Sequence, residues 1–338
     1  MKTLLLSSSP EDIRLAGERL RSGGLVGIPT ETVYGLAANA FDGTAVASIF
    51  AAKGRPMDNP LIVHISRLEQ LDDIVSEVPE AAVALAAQYW PGPLTIVMPK
   101  GKNIPDEVSC GLDTVGVRMP SHETARAIID AAGVPLAAPS ANLSGSPSPT
   151  TAAHVMADMD GRIDAVVDGG ECEVGLESTV VSVCGEVPQL LRPGAITPEM
   201  IEEAAGSVDI NHAVLDELAE GEQAASPGMK YKHYSPKAKI RILRGSREAY
   251  IAYCNAHASE GVFALCFEGD GAVLDIPYIE YGRENDLLSQ AHGLFSALRG
   301  LDERGAKLAY ARCCAPTGVG LAVYNRLLRS AGFDVVDI

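Results

Sequence analysis

The sequence predicts a two-domain α/β protein. Three observations carry that prediction. Short apolar runs with strand character alternate with helix-like segments along the chain. Polar and cationic side chains recur at the ends of successive strands in the first 205 residues, where open α/β sheets hold their ligands. The texture then changes after Ile201, and an acidic stretch from Val208 to Ala225 separates this region from a second strand–helix alternation. A length of 338 residues suits two domains at ~100–200 residues each. The boundaries read as a first domain over 1–205, a connecting segment over 206–237 and a smaller Rossmann-like α/β domain over 238–338.

The elements follow in order. Leu4 to Leu6 reads as a strand. Ser9-Pro10-Glu11-Asp12 opens a helix to about Arg21, with Ser9 as cap, Pro10 at the first helical position and acids in the first turn. Leu25 to Pro29 is a buried strand that ends in a polar loop, Thr30 to Leu36. Thr44 to Lys53 is helical, Leu61 to Ile65 a strand, Glu80 to Tyr89 an Ala-rich helix broken at Trp90-Pro91-Gly92-Pro93, and Leu94 to Met98 a strand. Thr114 to Arg118 is a strand ending in a cation, and Ser121 reads as the cap of a helix to Ala132, with Thr124 at its third position. Pro135 to Ala138 is a strand entering a long small-residue loop to Thr150. Val155 to Met159 closes a short helix, Ala165 to Asp168 is a strand, and Ser178 to Val183 with Gln189 to Leu191 reads as an antiparallel pair. In the second domain, Ile240 to Leu243, Phe263 to Phe267 and the run around Ile276 to Ile279 read as strands, and Ser246 to Asn255 and Asn285 to Arg299 as helices. No G-x-G-x-x-G turn follows its first strand, so no dinucleotide is expected there.

Composition excludes several classes. Hydrophobic residues make up 47% and charged residues 21%, enough for a substantial core, and aromatics at only 5% make that core aliphatic. The net charge of −17 repels phosphate backbones and anionic membranes, so stable nucleic-acid binding is not expected and any anionic ligand needs a local cationic cluster. Seven cysteines at no metal-binding spacing read as reduced thiols, which fits a cytoplasmic protein. The N-terminal apolar run is too short for a signal peptide, and no run reaches a membrane-spanning length.

The candidate chemistry centres on Lys53-Gly54-Arg55-Pro56, two cations in a rigid turn ahead of Asn59 and an apolar strand that carries His64. Such a loop either grips phosphates or is a solvated turn between helix and strand. With Arg118 and Arg192 it supplies four cations at strand ends or beside Gly and Pro, which suits a triphosphate. Alone, each reads equally well as a surface cation, and His64 as a core residue. Ser140 and Ser178 lie outside any G-x-S-x-G elbow, so hydrogen bonding fits them better than nucleophilic attack. Glu31 and Glu177 could orient a ligand or a metal, or serve as turn residues. There is no Walker A sequence.

Seven segments, in order, carry a resemblance: Pro29-Thr30-Glu31-Thr32-Val33-Tyr34-Gly35-Leu36, Lys53-Gly54-Arg55-Pro56 with Asn59-Pro60-Leu61, Trp90-Pro91-Gly92-Pro93-Leu94-Thr95, Val117-Arg118-Met119-Pro120, Pro139-Ser140-Ala141-Asn142-Leu143-Ser144-Gly145, Ser178-Thr179-Val180 and Leu191-Arg192-Pro193-Gly194. Together they resemble the YrdC-like threonylcarbamoyl-AMP synthases, in the long two-domain form, with no motif missing. The resemblance implies an N-terminal YrdC-like twisted open α/β sheet with a large concave cleft. It implies a nucleotidyltransferase that converts L-threonine, bicarbonate and ATP into threonylcarbamoyl-adenylate and pyrophosphate. Mg²⁺ would be bound through the ATP phosphates, with no protein metal site. The product would pass to a transferase complex that modifies tRNA.

By the same resemblance, Lys53 and Arg55 are the catalytic cations, and Thr32, His64, Arg118, Ala138 and Ser178 hold threonine. Lys53, Arg55, Asn59, Thr114, Ser140, Asn142, Ser148 and Arg192 hold ATP. Tyr231 or Tyr234, in the connecting segment, closes over the nucleotide as a lid. Lys53 and Arg55 are expected to be exposed in the cleft. Two other readings compete: an RNA-binding factor in RNA or ribosome maturation that uses the cationic cleft, against which the net charge argues, and a carbamoyl-transfer enzyme, whose accessory zinc-finger and acylphosphatase-like modules this chain does not carry.

Overall fold

The computed structural model describes residues 2–216 and 234–338. Tyr231 and the rest of the segment 217–233 lie outside the described residues. The described chain forms two compact units: residues 2–144, 149–173 and 177–216 make the first, and 145–148, 174–176 and 234–338 the second.

The first unit is built on one mixed sheet. Its strands are β1 (Leu4–Leu6), β2 (Val26–Ile28), β3 (Gly35–Asn39), β4 (Ile62–His64), β5 (Leu94–Pro99), β6 (Thr114–Arg118), β7 (Leu136–Ala138), β8 (Ala165–Val167), β9 (Thr179–Ser182), β10 (Gln189–Arg192) and β11 (Asp209–Ile210). Their order across the sheet is β1-β8-β2-β3-β7-β4-β6-β5-β9-β10-β11. The helices are α1 (Pro10–Arg21), α2 (Gly43–Lys53), α3 (Glu80–Tyr89), the single turn α4 (Asp106–Ser109), α5 (Glu123–Ala132), α6 (Ala152–Met159) and α7 (Pro198–Ala205). The apolar sides of α1 and α5 and the central strands share one aliphatic core that includes Leu20, Val26, Ile28, Ile128, Leu136 and Val167, as the scarcity of aromatics implied.

Local signals hold where the chain itself supplies the partner. Ser9 caps α1 by accepting from the Asp12 N–H, with Pro10 at the first helical position. Gly54 ends α2 with φ of 62°, the left-handed conformation that glycine adopts without a Cβ clash. Three features depart from expectation. The polar loop after β2 is shorter than read: Gly35 to Asn39 is a strand, antiparallel to both β2 and β7. Its Ala-rich run has weak strand propensity, and pairing on both sides overrides that. The helix α5 starts at Glu123 behind His122, which makes no side-chain capping bond. Ser121 lies in the preceding turn, where its carbonyl and that of Pro120 accept from Arg126 Nη1 at 2.7 and 2.9 Å. The turns Leu68–Asp73 and α4, the helix α7 and the strand β11, which pairs with β10 inside the stretch read as a connector, were not expected at all.

The second unit alternates strands and helices: β12 (Lys239–Arg244), α8 (Arg247–Ala256), β13 (Val262–Cys266), β14 (Tyr278–Glu280), α9 (Leu287–Glu303), β15 (Leu308–Arg312), α10 (Val319–Ala331) and β16 (Val335–Asp337). The sheet order is β14-β13-β15-β12-β16, with every neighbouring pair parallel, so the unit is the Rossmann-like α/β layer the alternation predicted. Sequence reading did not separate out its last three elements. No described helix is long and apolar enough to cross a membrane.

Candidate active site

Strand register sorts the candidate residues of the first unit into two groups. β4 and β6 are parallel and place His64 opposite Arg118 at their C-terminal ends. β5 runs antiparallel to β6, and β9 parallel to β5, so Ser178, just ahead of β9, comes to that same end. Arg192, the last residue of β10, pairs with Val180 across a register shift between Leu190 and Arg192. Such a bulge re-aims a side chain, and here the guanidinium turns onto Ser178: Nε donates to its carbonyl at 3.1 Å and Nη2 to its hydroxyl at 3.2 Å. At the opposite ends of β4 and β6 are Arg55 and Asn59, ahead of β4, and Thr114, the first residue of β6. Thr114 and Arg118 are four residues apart on one strand face, ~13 Å along the sheet.

The Arg118 end is dry and tightly bonded. Arg118 is 3% exposed. Its Nε donates to the Gly92 carbonyl at 3.3 Å and its Nη1 to Thr32 Oγ1 at 2.8 Å. Thr32 Oγ1 lies 2.8 Å from Thr30 Oγ1, whose oxygen also accepts the Thr32 N–H at 3.2 Å. A side-chain turn therefore sets the Thr32 hydroxyl before Arg118 uses it. Glu31 Oε1 stands 2.8 Å from Arg118 Nη2. His64 is buried, with Nδ1 3.2 Å from the Ile62 carbonyl. Burial first, and then the Arg118 charge, push its pKa down to about 3. The ring is therefore neutral at physiological pH, with one ring nitrogen available to donate and the other to accept. Ala138 lies opposite Ile62, the first residue of β4, and so stands at the end of that strand away from His64 and Arg118.

The other group is organised by Lys53. The expectation of an exposed cation fails here: Lys53 is 3% exposed. Its Nζ donates to the carbonyls of Ser140 and Asn142 at 2.5 and 2.6 Å. Burial, reinforced by the nearby Arg55 charge, lowers its pKa well below the usual lysine value. The Ser140 hydroxyl donates to Asn142 Oδ1 at 2.5 Å, and Ser140 bridges to Gly35 across the loop. Lys53 thus shapes the Ser140–Asn142 loop from behind. Arg55, set outside the helix by Gly54, is half-buried over the Phe50 ring at 5.6 Å and donates to the Asn59 carbonyl at 2.7 Å. Asn59 is buried, and its Oδ1 has no hydrogen-bond partner.

The remaining candidates fall in the second unit. Ser148 is fully buried there. Tyr234, with φ of 62°, has its ring 5.3 Å from that of Phe295 and beneath the Arg326 guanidinium. Sequence reading missed Thr95, whose hydroxyl lies 2.8 Å from Ser178 Oγ. A threonine inside an apolar strand carries no signal of that contact, because the partner is 83 residues away.

Comparison with known proteins places these features in context. A family model described as "Telomere recombination", for the Sua5, YciO and YrdC domain, matches residues 18–194. A second, described as the C-terminal domain of threonylcarbamoyl-AMP synthase, matches residues 196–332. Threonylcarbamoyl-AMP synthase of Bacillus subtilis is 45% identical, over 98% of this chain and 96% of its own length. That of Pyrococcus abyssi is 44% identical, over 96% of each. The crystal structure of P. abyssi Sua5 complexed with L-threonine superposes with a TM-score of 0.92 at 41% identity, covering both chains completely.

Proposed function

The chain belongs to the threonylcarbamoyl-AMP synthase family, and from that premise we propose that it is a nucleotidyltransferase joining L-threonine, bicarbonate and ATP into threonylcarbamoyl-adenylate. The observation that carries the reading is the split of the site. A buried Arg118 and a neutral His64 stand at one end of β4 and β6, and the Lys53–Arg55 turn and Ser140–Asn142 loop at the other. An amino acid suits the first end: Arg118 faces the α-carboxylate, and the neutral His64 ring offers a hydrogen bond to the substrate. Arg55, Asn59, Thr114, Ser140 and Asn142 suit the nucleotide, with Lys53 holding the loop. Ser148 and Tyr234, together with Tyr231, remain in the proposed ATP set, as Ala138 and Ser178 do in the threonine set. Arg192 reaches Ser178, so it suits a phosphate group directed toward the amino acid.

The threonine amine adds to CO₂ with loss of a proton, or to bicarbonate with loss of water, to form a carbamate. A carbamate oxygen then attacks the α-phosphate of ATP, the bond to the β-phosphate oxygen breaks, and pyrophosphate leaves. The protein's part is positioning and charge stabilisation, so no nucleophile is needed. Mg²⁺ would be carried by the ATP phosphates. The product would serve tRNA modification through a separate transferase in the cytoplasm. The test is pyrophosphate release from ATP and Mg²⁺ in the presence of bicarbonate and each amino acid in turn. Release that requires both threonine and bicarbonate supports the reading. No release, with tight RNA binding instead, would sink it.

A further inference from the structure

Glu31 is an acidic side chain paired with Arg118 that the proposed reaction leaves without a task. It sits between Thr30 and Thr32 in the loop after β2, and only 4% of its side chain is exposed. Burial by itself would raise its pKa, but the charge and hydrogen bond of Arg118 outweigh that and hold the carboxyl below the usual range. Glu31 is therefore a carboxylate, and its Oε1 is 2.8 Å from Arg118 Nη2.

Three groups surround the guanidinium: the Gly92 carbonyl and Thr32 Oγ1 accept hydrogen bonds from Nε and Nη1, and the Glu31 carboxylate forms an ion pair with Nη2 at 2.8 Å. The first two contacts accept from one edge and one corner of the plane. The third sets a carboxylate against the far end of the plane and, among the described residues, supplies the negative charge paired with this buried cation. A buried charge without its partner costs several kcal/mol. Without Glu31 this cation would recruit whatever anion entered the cleft, and the most abundant anion in an ATP-using cleft is phosphate.

We propose that Glu31 is a positioning residue for the amino-acid end of the site: it fixes the plane of Arg118 for an α-carboxylate and offsets its charge, so that the pocket takes a net-neutral amino acid and rejects inorganic phosphate. The inference rests on the reading of Arg118 as the threonine anchor. It acts through Arg118, since both Glu31 oxygens are buried and Oε1 stands 2.8 Å from Arg118 Nη2.

The experiment is steady-state pyrophosphate release by the full-length chain with Glu31→Gln, Glu31→Asp and Arg118→Met, alone and combined. For Glu31→Gln, KM for threonine rises tenfold or more while KM for ATP stays within twofold. Inorganic phosphate becomes a competitive inhibitor against threonine, as it is not in the parent. Glu31→Asp keeps the charge and restores rejection of phosphate, with KM for threonine between the two. In the Arg118→Met background, Glu31→Gln adds nothing. Thermal melts check that each variant is folded, and should Glu31→Gln fail to fold, the phosphate and KM pattern of Glu31→Asp against the parent decides. The proposal is overturned if folded Glu31→Gln keeps the parental KM for threonine, if both KM values rise together, or if Glu31→Asp, with its shorter reach, behaves in every respect as the parent. If the parent itself shows no threonine-dependent release, the synthase reading has failed instead.

Discussion

Lys53 Nζ, at the end of α2, donates to the carbonyl of Asn142 at 2.6 Å, and to that of Ser140 beside it. The contact joins two motifs 89 residues apart through main-chain atoms, so the lysine acts on the shape of a loop as well as on its charge.

Replacing Lys53 should therefore cost stability as well as activity. Lys53→Ala removes the donor to two carbonyls, at ~1–3 kcal/mol for each buried group left unsatisfied, and empties the channel of the stem. We expect a clear fall in melting temperature together with loss of pyrophosphate release. Arg55→Ala, at a half-exposed position, should lose turnover with little change in the melt. Equal melting temperatures for both variants would contradict the stapling role.

The neutral His64 makes stability acid-sensitive. Its folded pKa of about 3 lies below the ordinary histidine value of 6.5, so the unfolded chain binds the proton first as pH falls. The contribution is complete above pH 6.5 and declines between there and about 3, by ~1.4 kcal/mol per pH unit. Glu31, with its lowered pKa, adds a loss of the same sign at lower pH. Urea midpoints at pH 7.5 and 5.5 should therefore fall further for the parent than for His64→Gln, by ~1 kcal/mol. Parallel falls would show that His64 is not held neutral by the fold.

Arg192 makes two bonds to Ser178 from one planar fork, a geometry that a lysine cannot reproduce. Arg192→Lys should raise KM for ATP about tenfold, which corresponds to ~1.4 kcal/mol, and leave KM for threonine within twofold. A rise confined to threonine would move Arg192 to the other substrate.

Gly194 has no room for a side chain. A Cβ there would collide with the Thr179 N–H and lie 2.9 Å from the Glu177 carbonyl, both backbone groups at the start of β9 that cannot swing aside. Gly194→Ala should destabilise by ~1–3 kcal/mol and lower activity by displacing Ser178. Gly145→Ala has no atom within 4 Å of the new Cβ, although φ is 88°, and so serves as a control for backbone strain without a clash. A Gly194→Ala variant that melts with the parent would refute the clash.

The sequence by itself determined the α/β class, the family and most of the elements, because apolar periodicity, caps such as Ser9 and breakers such as Gly54 act within a few residues along the chain. It also picked out the motif residues, since short cationic turns and small-residue loops at strand ends are local patterns. It left His64 between core and site, read Lys53 as exposed and gave Glu31 no settled role. Only the tertiary structure decided those points. Whether a lysine is exposed depends on carbonyls 87 and 89 residues away, and whether a histidine is neutral depends first on its burial in the sheet and then on a guanidinium brought alongside by the pairing of β4 with β6. Burial and charge at a site are sums over neighbours in space, and those neighbours are chosen by sheet register, which no local stretch of sequence encodes.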